Sequence, residues 1–392
     1  MKIQQRYKIL LTLLTSFVLD TSYAGLDIEI TQGVDASVPV AIYPFNSAPN
    51  SGPNANSIIL NKVIASDLYR CGLFKPLEQM ALPYNSVDKL PATTLQNQEI
   101  EYVVRGMVEG NKVKFELIDI FQLANKNSPT PEKDNFSANN KPVLLSKTFT
   151  ANPNSYRSLA HHISDLVYEK LTGVKGVFST RIAYVNVKWI PGKKREYVLE
   201  IADSDGYNPQ PLFMSKEPIM SPTWSPNGKL VAFVTFEGHR SKIKVVELAT
   251  GKSRVISSFK GINGAPSWSP DGTKMAIVLS KESVPKVYIL NLADNKLKQI
   301  TYGTSIDTEP RWSPDGSAII FTSSRGGGPQ IYKYDVASAQ ISRLTFEGSY
   351  NARASYTPDG KKIVMVHRNP ESSFKIAVQD LGTSNLDILT SS

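Results

Sequence analysis

The chain has 392 residues, of which 20% are charged and 41% hydrophobic, a composition typical of a soluble globular protein with two or three domains. Its formal net charge is +9, and losing residues 1–24, with three basic residues and one acidic residue, lowers it to +7. This basic balance favours anionic surfaces, but no basic cluster is interleaved with aromatic residues, so we exclude nucleic acid as a partner. The one cysteine, Cys71, excludes an internal disulfide, and we expect a small buried side chain rather than a reactive thiol.

The N-terminus is typical of a secretory signal peptide. Three basic residues precede an apolar run of eleven residues from Ile9 to Leu19, shorter than the ~20 that span a bilayer. Ser22 to Ala24 offers the small-x-small cleavage pattern. We expect cleavage of residues 1–24 and a mature exported chain from Gly25 without a transmembrane segment; an uncleaved anchor is the alternative.

Residues 25–176 do not repeat, and their patterns predict a small α/β domain. The predicted elements are a strand at Val38 to Phe45, a helix at Ala55 to Gly72, a hairpin within Glu101 to Ile120 that turns at Gly110-Asn111, and a helix at Ser155 to Gly173. The polar stretch from Asn125 to Pro142 indicates a surface insertion.

Residues 177–392 carry an internal repeat. Trp224, Trp268, Trp312 and Tyr356 are 44 residues apart, and Ser257, Thr301, Thr345 and Thr390 form a second column with spacings of 44, 44 and 45. One unit, at residues 266–301, divides into four short strands joined by polar turns. Four antiparallel strands per ~40 to 45 residues predict one blade of a β-propeller.

The aromatic column belongs to a repeated turn. The four copies read "TWSPNG", "SWSPDG", "RWSPDG" and "SYTPDG". Pro sets the first corner, Asp or Asn tolerates the second, and Gly takes the left-handed position, while the aromatic side chain fills the wedge between blades. Calcium is an unfavoured alternative because each copy offers one acid and the first has Asn227.

The sequence contains no motif that indicates an enzyme. No nucleophile elbow, zinc-protease motif or phosphate-binding loop is present, and "SSRGGGPQ" at Ser323 to Gln330 lacks the Lys-Ser/Thr that follows such a loop. His161 and His162 are adjacent on the predicted helix, so their rings cannot share one face. We expect no catalytic residues, no metal site and no cofactor.

A propeller without catalytic residues is typically a docking platform. We expect the segment ahead of each aromatic turn to be a loop at one rim. These segments are "EPIMSP" at 217–222, "GINGAP" at 261–266, "IDTEP" at 306–310 and "SYNARA" at 349–354.

An ordered set of motifs resembles the TolB family, the periplasmic propeller proteins of the Tol-Pal envelope system in Gram-negative bacteria. The set comprises "GLDIEITQGVDASVPVAIYPF", "DGYNPQPL", "MSPTWSPNGKLVAFVTFE", "NGAPSWSPDG", "TEPRWSPDG" and "PQIYKYDV". The resemblance implies an N-terminal α/β domain followed by an all-β propeller. It also implies a non-enzymatic scaffold that supports outer-membrane integrity and invagination during cell division.

The resemblance implies that an N-terminal arm at residues 25–35 binds the C-terminal domain of TolA. The arm residues implied in this contact are Leu26, Asp27, Ile28, Glu29, Ile30, Gly33 and Val34. Apolar and acidic residues alternate there, which suits β-strand addition to a partner, although an ordinary edge strand would show the same alternation.

The resemblance also implies that the propeller rim binds Pal, the peptidoglycan-associated lipoprotein. The implied positions are Met220, Ser221, Ile262, Asn263, Gly264, Ala265, Asp307, Thr308, Glu309, Pro310 and Asn351. Members of the family often carry His where this chain has Ile262. Further expected partners are outer-membrane proteins and lipoproteins, and we expect a monomer.

The number of repeats departs from the family pattern of six blades. Three strands between residues 180 and 214 form part of one blade and four complete units follow, so about five blades are expected in a propeller that is incomplete at its C-terminus. A fragment, a natural truncation and a five-bladed closed ring stay open. Two other functions also stay open: the propeller domain of a prolyl-oligopeptidase-like hydrolase, and a propeller that binds a small ligand in its channel.

Overall fold

The computed structural model describes residues 37–47, 53–78, 90–126, 141–152, 155–189 and 195–390. The predicted signal peptide, the predicted arm and most of the predicted insertion lie outside the described residues. The chain divides into two compact units, Met1–Ser179 and Thr180–Ser392. Within the described ranges, no helix combines the length and the apolar character that a bilayer crossing requires.

The first unit is an α/β domain built on a five-stranded mixed sheet of order β2-β1-β3-β4-β5. Its strands are β1 (Val38–Ile42), β2 (Phe74–Glu78), β3 (Tyr102–Glu109), β4 (Lys112–Asp119) and β5 (Val143–Thr150), and its helices are α1 (Ala55–Arg70), α2 (Ala92–Asn97), α3 (Ile120–Lys126) and α4 (Tyr156–Thr172). β1 pairs in parallel with β2 and β3, whereas β3, β4 and β5 pair antiparallel. The predicted hairpin is confirmed as β3 and β4.

The helix ends follow from local residue chemistry. Asn54 and Ser57 form a reciprocal cap at the start of α1, in which the Ser57 N–H donates to Asn54 Oδ1 at 3.0 Å. α4 ends at Gly173, whose φ of 73° is left-handed, as predicted. Cys71 caps the C-terminus of α1 and is half-buried rather than fully buried, and burial raises the pKa of its thiol.

α1 and α4 pack together over the sheet and enclose most of the core of this domain. Leu60, Ile64 and Leu68 of α1 meet Ile163 and Val167 of α4 in one buried cluster. His161 is buried with its Nδ1 2.7 Å from Asp67 Oδ2, whereas His162 is exposed. The two rings therefore lie in different surroundings, as adjacent positions on a helix require.

The second unit is a β-propeller of about five blades. The first blade has three strands: β6 (Arg181–Lys188), β7 (Glu196–Asp203) and β8 (Gln210–Ser215). The second blade comprises β9 (Ile219–Trp224), β10 (Leu230–Thr235), β11 (Lys242–Glu247) and β12 (Ser253–Ser257), and the third comprises β13 (Asn263–Trp268), β14 (Lys274–Leu279), β15 (Lys286–Asn291) and β16 (Leu297–Gln299). The fourth comprises β17 (Asp307–Trp312), β18 (Ala318–Ser323), β19 (Gln330–Asp335) and β20 (Ile341–Arg343), and the fifth comprises β21 (Tyr350–Tyr356), β22 (Lys362–Arg368), β23 (Lys375–Asp380) and β24 (Leu386–Ile388). Each blade is an antiparallel meander. The prediction of three strands followed by four complete units is confirmed.

The first strands of successive blades contact one another, so they are the innermost strands of the propeller. In an antiparallel meander, the turns after the first and third strands lie at one edge of the sheet. The links after the second and fourth strands lie at the opposite edge. The aromatic turns therefore occupy the edge opposite to the links that precede each first strand.

The aromatic turns are structural, as predicted. In the second copy the Ser269 hydroxyl donates to Asp271 Oδ1 at 2.5 Å, which also accepts the Thr273 N–H at 3.0 Å. Gly272 has a φ of 71°, and equivalent hydrogen bonds recur in the other three turns. Trp268 is 8% exposed between blades and donates from Nε1 to the Thr223 carbonyl of the preceding blade at 3.3 Å.

The second repeated column also has a structural role. The hydroxyl oxygens of Thr301, Thr345 and Thr390 accept the backbone N–H of Val287, Ile331 and Ile376 at 2.9, 2.9 and 3.0 Å. Each of the three donors, Val287, Ile331 and Ile376, is the second residue of the third strand of the same blade. The column therefore fastens the end of the fourth strand to the third.

Candidate docking face of the propeller

The segments predicted as rim loops are the opening halves of the innermost strands. Asn263 pairs with Leu279, Asp307 with Ser323 and Asn351 with His367, so β13, β17 and β21 begin about three residues earlier than the sequence indicated. β9 likewise begins at Ile219. The prediction of loops at these positions is wrong, because the backbone there already pairs with the second strand.

Each of these strands contains a bulge that the sequence analysis missed. The residues with positive φ are Ser221 (51°), Ala265 (47°), Glu309 (55°) and Arg353 (57°), one per blade and 44 residues apart. The pairing register shifts beside them, between Gly264 and Ser267 and between Thr308 and Arg311. Non-glycine residues rarely adopt this conformation, and a bulge redirects the side chains around it. None of these four positive-φ residues is Gly or Asn, so the sequence contains no local signal that predicts the bulges.

Asn263 is fully buried, and its side chain is occupied within the protein. Its Oδ1 accepts the Ser257 hydroxyl at 2.7 Å and the Phe259 N–H at 2.8 Å. Its Nδ2 donates to the Phe259 and Gly261 carbonyls at 2.7 and 3.2 Å. We therefore correct its expected role: its amide holds the link between β12 and β13 and does not face a partner.

Asp307 occupies the equivalent position in the next blade and is also fully buried. It accepts Lys286 Nζ at 2.9 Å, the Ser323 hydroxyl at 2.6 Å and Arg325 Nη2 at 3.1 Å. Burial works to raise its pKa, but hydrogen bonds from Ser323, Lys286 and Arg325 hold the pKa below its ordinary value. Asp307 is therefore an ionised brace inside the blade rather than a partner contact.

Asn351 is the third buried member of this column. Its Nδ2 donates to Gln330 Oε1 at 2.9 Å and to the Glu347 carbonyl at 2.7 Å, and its Oδ1 lies 2.8 Å from His367 Nδ1. Pro310 is buried as well. Both were expected to contact a partner, and burial assigns both to the interior of the propeller.

The other implied Pal positions reach the surface. Met220, Ser221 and Ile262 are exposed, and Gly264, Ala265, Thr308 and Glu309 are half-buried. They lie on, or next to, the innermost strands of three successive blades, and those strands contact one another. We call these seven residues the bulge face.

Apolar side chains that the sequence analysis did not select lie at the same edge. Tyr302 and Phe346 are 67% and 73% exposed in the links after β16 and β20, and Ile306 is 51% exposed ahead of β17. Tyr302 and Phe346 are 44 residues apart, as are Ile262 and Ile306. Apolar residues that recur at one repeat position outside the strands were the available signal. An apolar rim next to exposed strand backbone is typical of a protein-binding surface.

The comparisons with known proteins agree with this architecture. A family model described as "TolB beta propeller domain" matches residues 168–392, and one described as "TolB amino-terminal domain" matches residues 26–125. The crystal structure of TolB from Acinetobacter baumannii superposes with a TM-score of 0.78 at 39% identity, covering 92% of this chain and 85% of that chain.

Two relatives named "Tol-Pal system protein TolB" are similar in sequence. The Coxiella burnetii protein is 46% identical over 274 residues, which is 67% of this chain and 58% of the relative. The Legionella pneumophila subsp. pneumophila protein is 47% identical over 243 residues, which is 62% of this chain and 52% of the relative. The matches thus span between half and three fifths of the length of these relatives. The chain belongs to the TolB family.

Proposed function

We propose that this chain is a non-enzymatic periplasmic protein of the Tol-Pal system that binds Pal through the bulge face. The proposal is supported by the naming of its relatives and by the predicted signal peptide. The observation that carries it is the left-handed bulge that recurs in four blades, beside which the bulge face presents small and apolar residues together with Glu309. Contact residues on regular strands are positioned more accurately than contact residues on free loops.

Three buried polar side chains at the starts of the innermost strands support this proposal, because they make the surface rigid. Asn263, Asp307 and Asn351 each hold the link that precedes their own strand or the strand end beside it. A surface that is already ordered loses little conformational entropy on binding, so a modest contact area is sufficient for affinity. The bulge face therefore suits a partner that docks without rearrangement of the propeller backbone.

The TolA contact is proposed for a different part of the chain. Residues 25–35 alternate apolar and acidic side chains, which suits strand addition to the C-terminal domain of TolA. Binding both proteins would connect Pal to TolA and so support outer-membrane integrity and invagination during division. Outer-membrane proteins and lipoproteins are proposed as further partners.

Calorimetric titration with the soluble domain of Pal tests the proposed docking. Thr308→Arg places a long charged side chain on the bulge face, and we expect at least tenfold weaker Pal binding with an unchanged melting temperature. Thr250→Arg is the matched control, because Thr250 is an exposed residue in the turn after β11, at the opposite edge. Equal Pal affinity for the two variants would overturn the assignment of the bulge face.

Deletion of residues 25–34 tests the arm. We expect the deletion to abolish capture by the TolA C-terminal domain and to leave Pal binding to the bulge face in place. Undiminished TolA capture by the shortened chain would show that the arm assignment is wrong, without affecting the Pal assignment.

A further inference from the structure

Arg311 is a half-buried cation among the innermost strands of the propeller. It lies on β17, and its Nη1 reaches the Pro266 carbonyl of the preceding blade at 3.5 Å. No carboxylate among the described residues forms an ion pair with it. A guanidinium has five N–H donors, so most of the hydrogen-bonding capacity of Arg311 is available to another molecule.

A second guanidinium comes from the next blade. Arg353 is the left-handed residue of the bulge in β21, the innermost strand of that blade, and its charge acts on Arg311. The Glu309 carboxylate acts on both: its Oε1 lies 3.4 Å from Arg353 Nε, and its charge also acts on Arg311. Two cations and one anion leave one positive charge in excess at this place.

Burial lowers the pKa of Arg311, and the charge of Arg353 lowers it further, whereas Glu309 acts in the opposite direction. The surroundings therefore oppose the charge that Arg311 must carry, since a guanidinium is not deprotonated in proteins. A bound anion would remove this cost by supplying the missing negative charge.

The repeat places hydroxyl groups at the positions equivalent to Arg311. Counting in steps of 44 residues, the other innermost strands carry Thr223, Ser267 and Ser355. Hydroxyl groups and guanidinium groups are the donors that proteins use to bind carboxylate and phosphate oxygens. This repeat position therefore combines one cation with three hydroxyl side chains on the innermost strands of the other blades.

We propose that Arg311 and Arg353 form a binding site for a compact oxyanion at the centre of the propeller. The ligand carries a carboxylate or phosphate group, which a guanidinium binds through two parallel hydrogen bonds. The group comes either from a free anion or from an acidic side chain of a docked protein, and these two sources are distinguished by experiment.

Inorganic phosphate is the probe for the site itself. The melting temperature is followed during a phosphate titration at constant ionic strength, with chloride as the replacement anion. We expect saturable stabilisation of the unaltered chain and at least tenfold weaker apparent affinity for Arg311→Gln and Arg353→Gln. Arg254→Gln is the control, because Arg254 is exposed on β12, the outer strand of another blade.

The phosphate-free baseline separates a lost site from a damaged fold. Since Arg311→Gln removes a like-charge repulsion, we expect its melting temperature without phosphate to equal or exceed that of the unaltered chain. The same phosphate response in all four proteins, or the absence of saturable stabilisation, would overturn the proposal.

A competition experiment identifies the source of the anion, and this arm alone rests on the proposed binding of Pal. Saturating phosphate that weakens Pal binding assigns the site to a carboxylate of the docked protein. Undiminished Pal binding in the presence of saturating phosphate assigns it to a free anion. Failure of Pal to bind at all concerns the proposed function and leaves the phosphate titration valid.

Discussion

The Glu309 carboxylate accepts the backbone N–H of Arg353 at 3.0 Å, although the two residues are 44 positions apart and belong to successive blades. The same oxygen accepts the Thr322 hydroxyl at 2.9 Å. Glu309 and Arg353 both have positive φ, so each marks the bulge of its own innermost strand. A bulge leaves a backbone group unpaired, and here the side chain of one bulge satisfies the backbone of the next.

Replacing Glu309 tests this connection between blades. Glu309→Ala removes the acceptor of the Thr322 hydroxyl and one of the two acceptors of the Arg353 N–H, the other being Thr322 Oγ1 at 3.1 Å. We therefore expect the free energy of unfolding to fall by about 1–2 kcal/mol. Glu309→Gln keeps one acceptor oxygen and should lose less. Urea unfolding measures both, with Glu282→Ala, whose side chain is 70% exposed, as a control expected within about 0.5 kcal/mol of the unaltered chain. Equal stability of Glu309→Ala and Glu282→Ala would contradict a stabilising role for the Glu309 hydrogen bonds between blades.

The charge on Asp307 predicts a pH-dependent stability difference. Asp307→Asn leaves the buried Lys286 ammonium without its counter-charge, and we expect a loss of about 3–5 kcal/mol at neutral pH. The pKa of Asp307 is depressed in the folded state, so its contribution is complete above the ordinary pKa of 3.8. That contribution declines as the pH falls toward the folded value.

Urea unfolding between pH 7 and pH 3 measures the Asp307 effect. The difference between Asp307→Asn and the unaltered chain should shrink below about pH 4, where the unfolded carboxyl takes up a proton. Asp294→Asn, at a partly exposed turn residue, is the control for general acid effects. A difference of the same size at pH 3 and pH 7 would show that the pKa of Asp307 is not depressed in the folded protein.

The aromatic turns predict unusually acidic aspartates. A hydrogen bond from the Ser269 hydroxyl, followed by those from the Thr273 N–H and hydroxyl, lowers the pKa of Asp271 from an ordinary 3.8 to about 2. Ser269→Ala should raise this pKa toward its ordinary value, whereas Ser313→Ala should raise that of Asp315 and leave Asp271 unchanged. Carbon-13 NMR titration of the carboxyl groups checks both. Titration of Asp271 near pH 4 in the unaltered chain would contradict the turn geometry.

Alanine substitutions at two glycines in the links of the propeller distinguish the cost of backbone strain from the cost of a steric clash. Gly303 and Gly348 have φ of 87° and 78°, so alanine is strained at both. A Cβ at Gly303 meets nothing within 4 Å, whereas at Gly348 it would lie 2.4 Å from His367 Cε1 and 2.9 Å from the Arg368 carbonyl. We expect Gly303→Ala to cost about 1–2 kcal/mol and Gly348→Ala about 1–3 kcal/mol more. Thermal unfolding that ranks the two equally would contradict the close packing of His367.

The structural elements that depend only on residues adjacent in the sequence could be predicted. The turn at Asp271 and Gly272 and the end of α4 at Gly173 each follow from one or two residues whose conformational preferences are strong. The 44-residue period then allowed the strands predicted for one blade to be placed in the other blades. The bulges could not be predicted, because Ala265 and Glu309 have no local preference for positive φ and adopt it only where pairing with the second strand and contact with the next blade require it.

The sequence by itself therefore determined the repeat, the turns, the order of the two domains and the resemblance to the TolB family, because periodicity and turn chemistry are local properties of the chain. The tertiary structure alone decided which polar side chains are available at the surface. Asn263 and Thr308 read alike as polar rim residues, yet one is buried with a complete set of hydrogen bonds and the other reaches the surface. Burial depends on how the strands and the blades pack together, and the excess charge at Arg311 arises because Arg353 comes from the next blade.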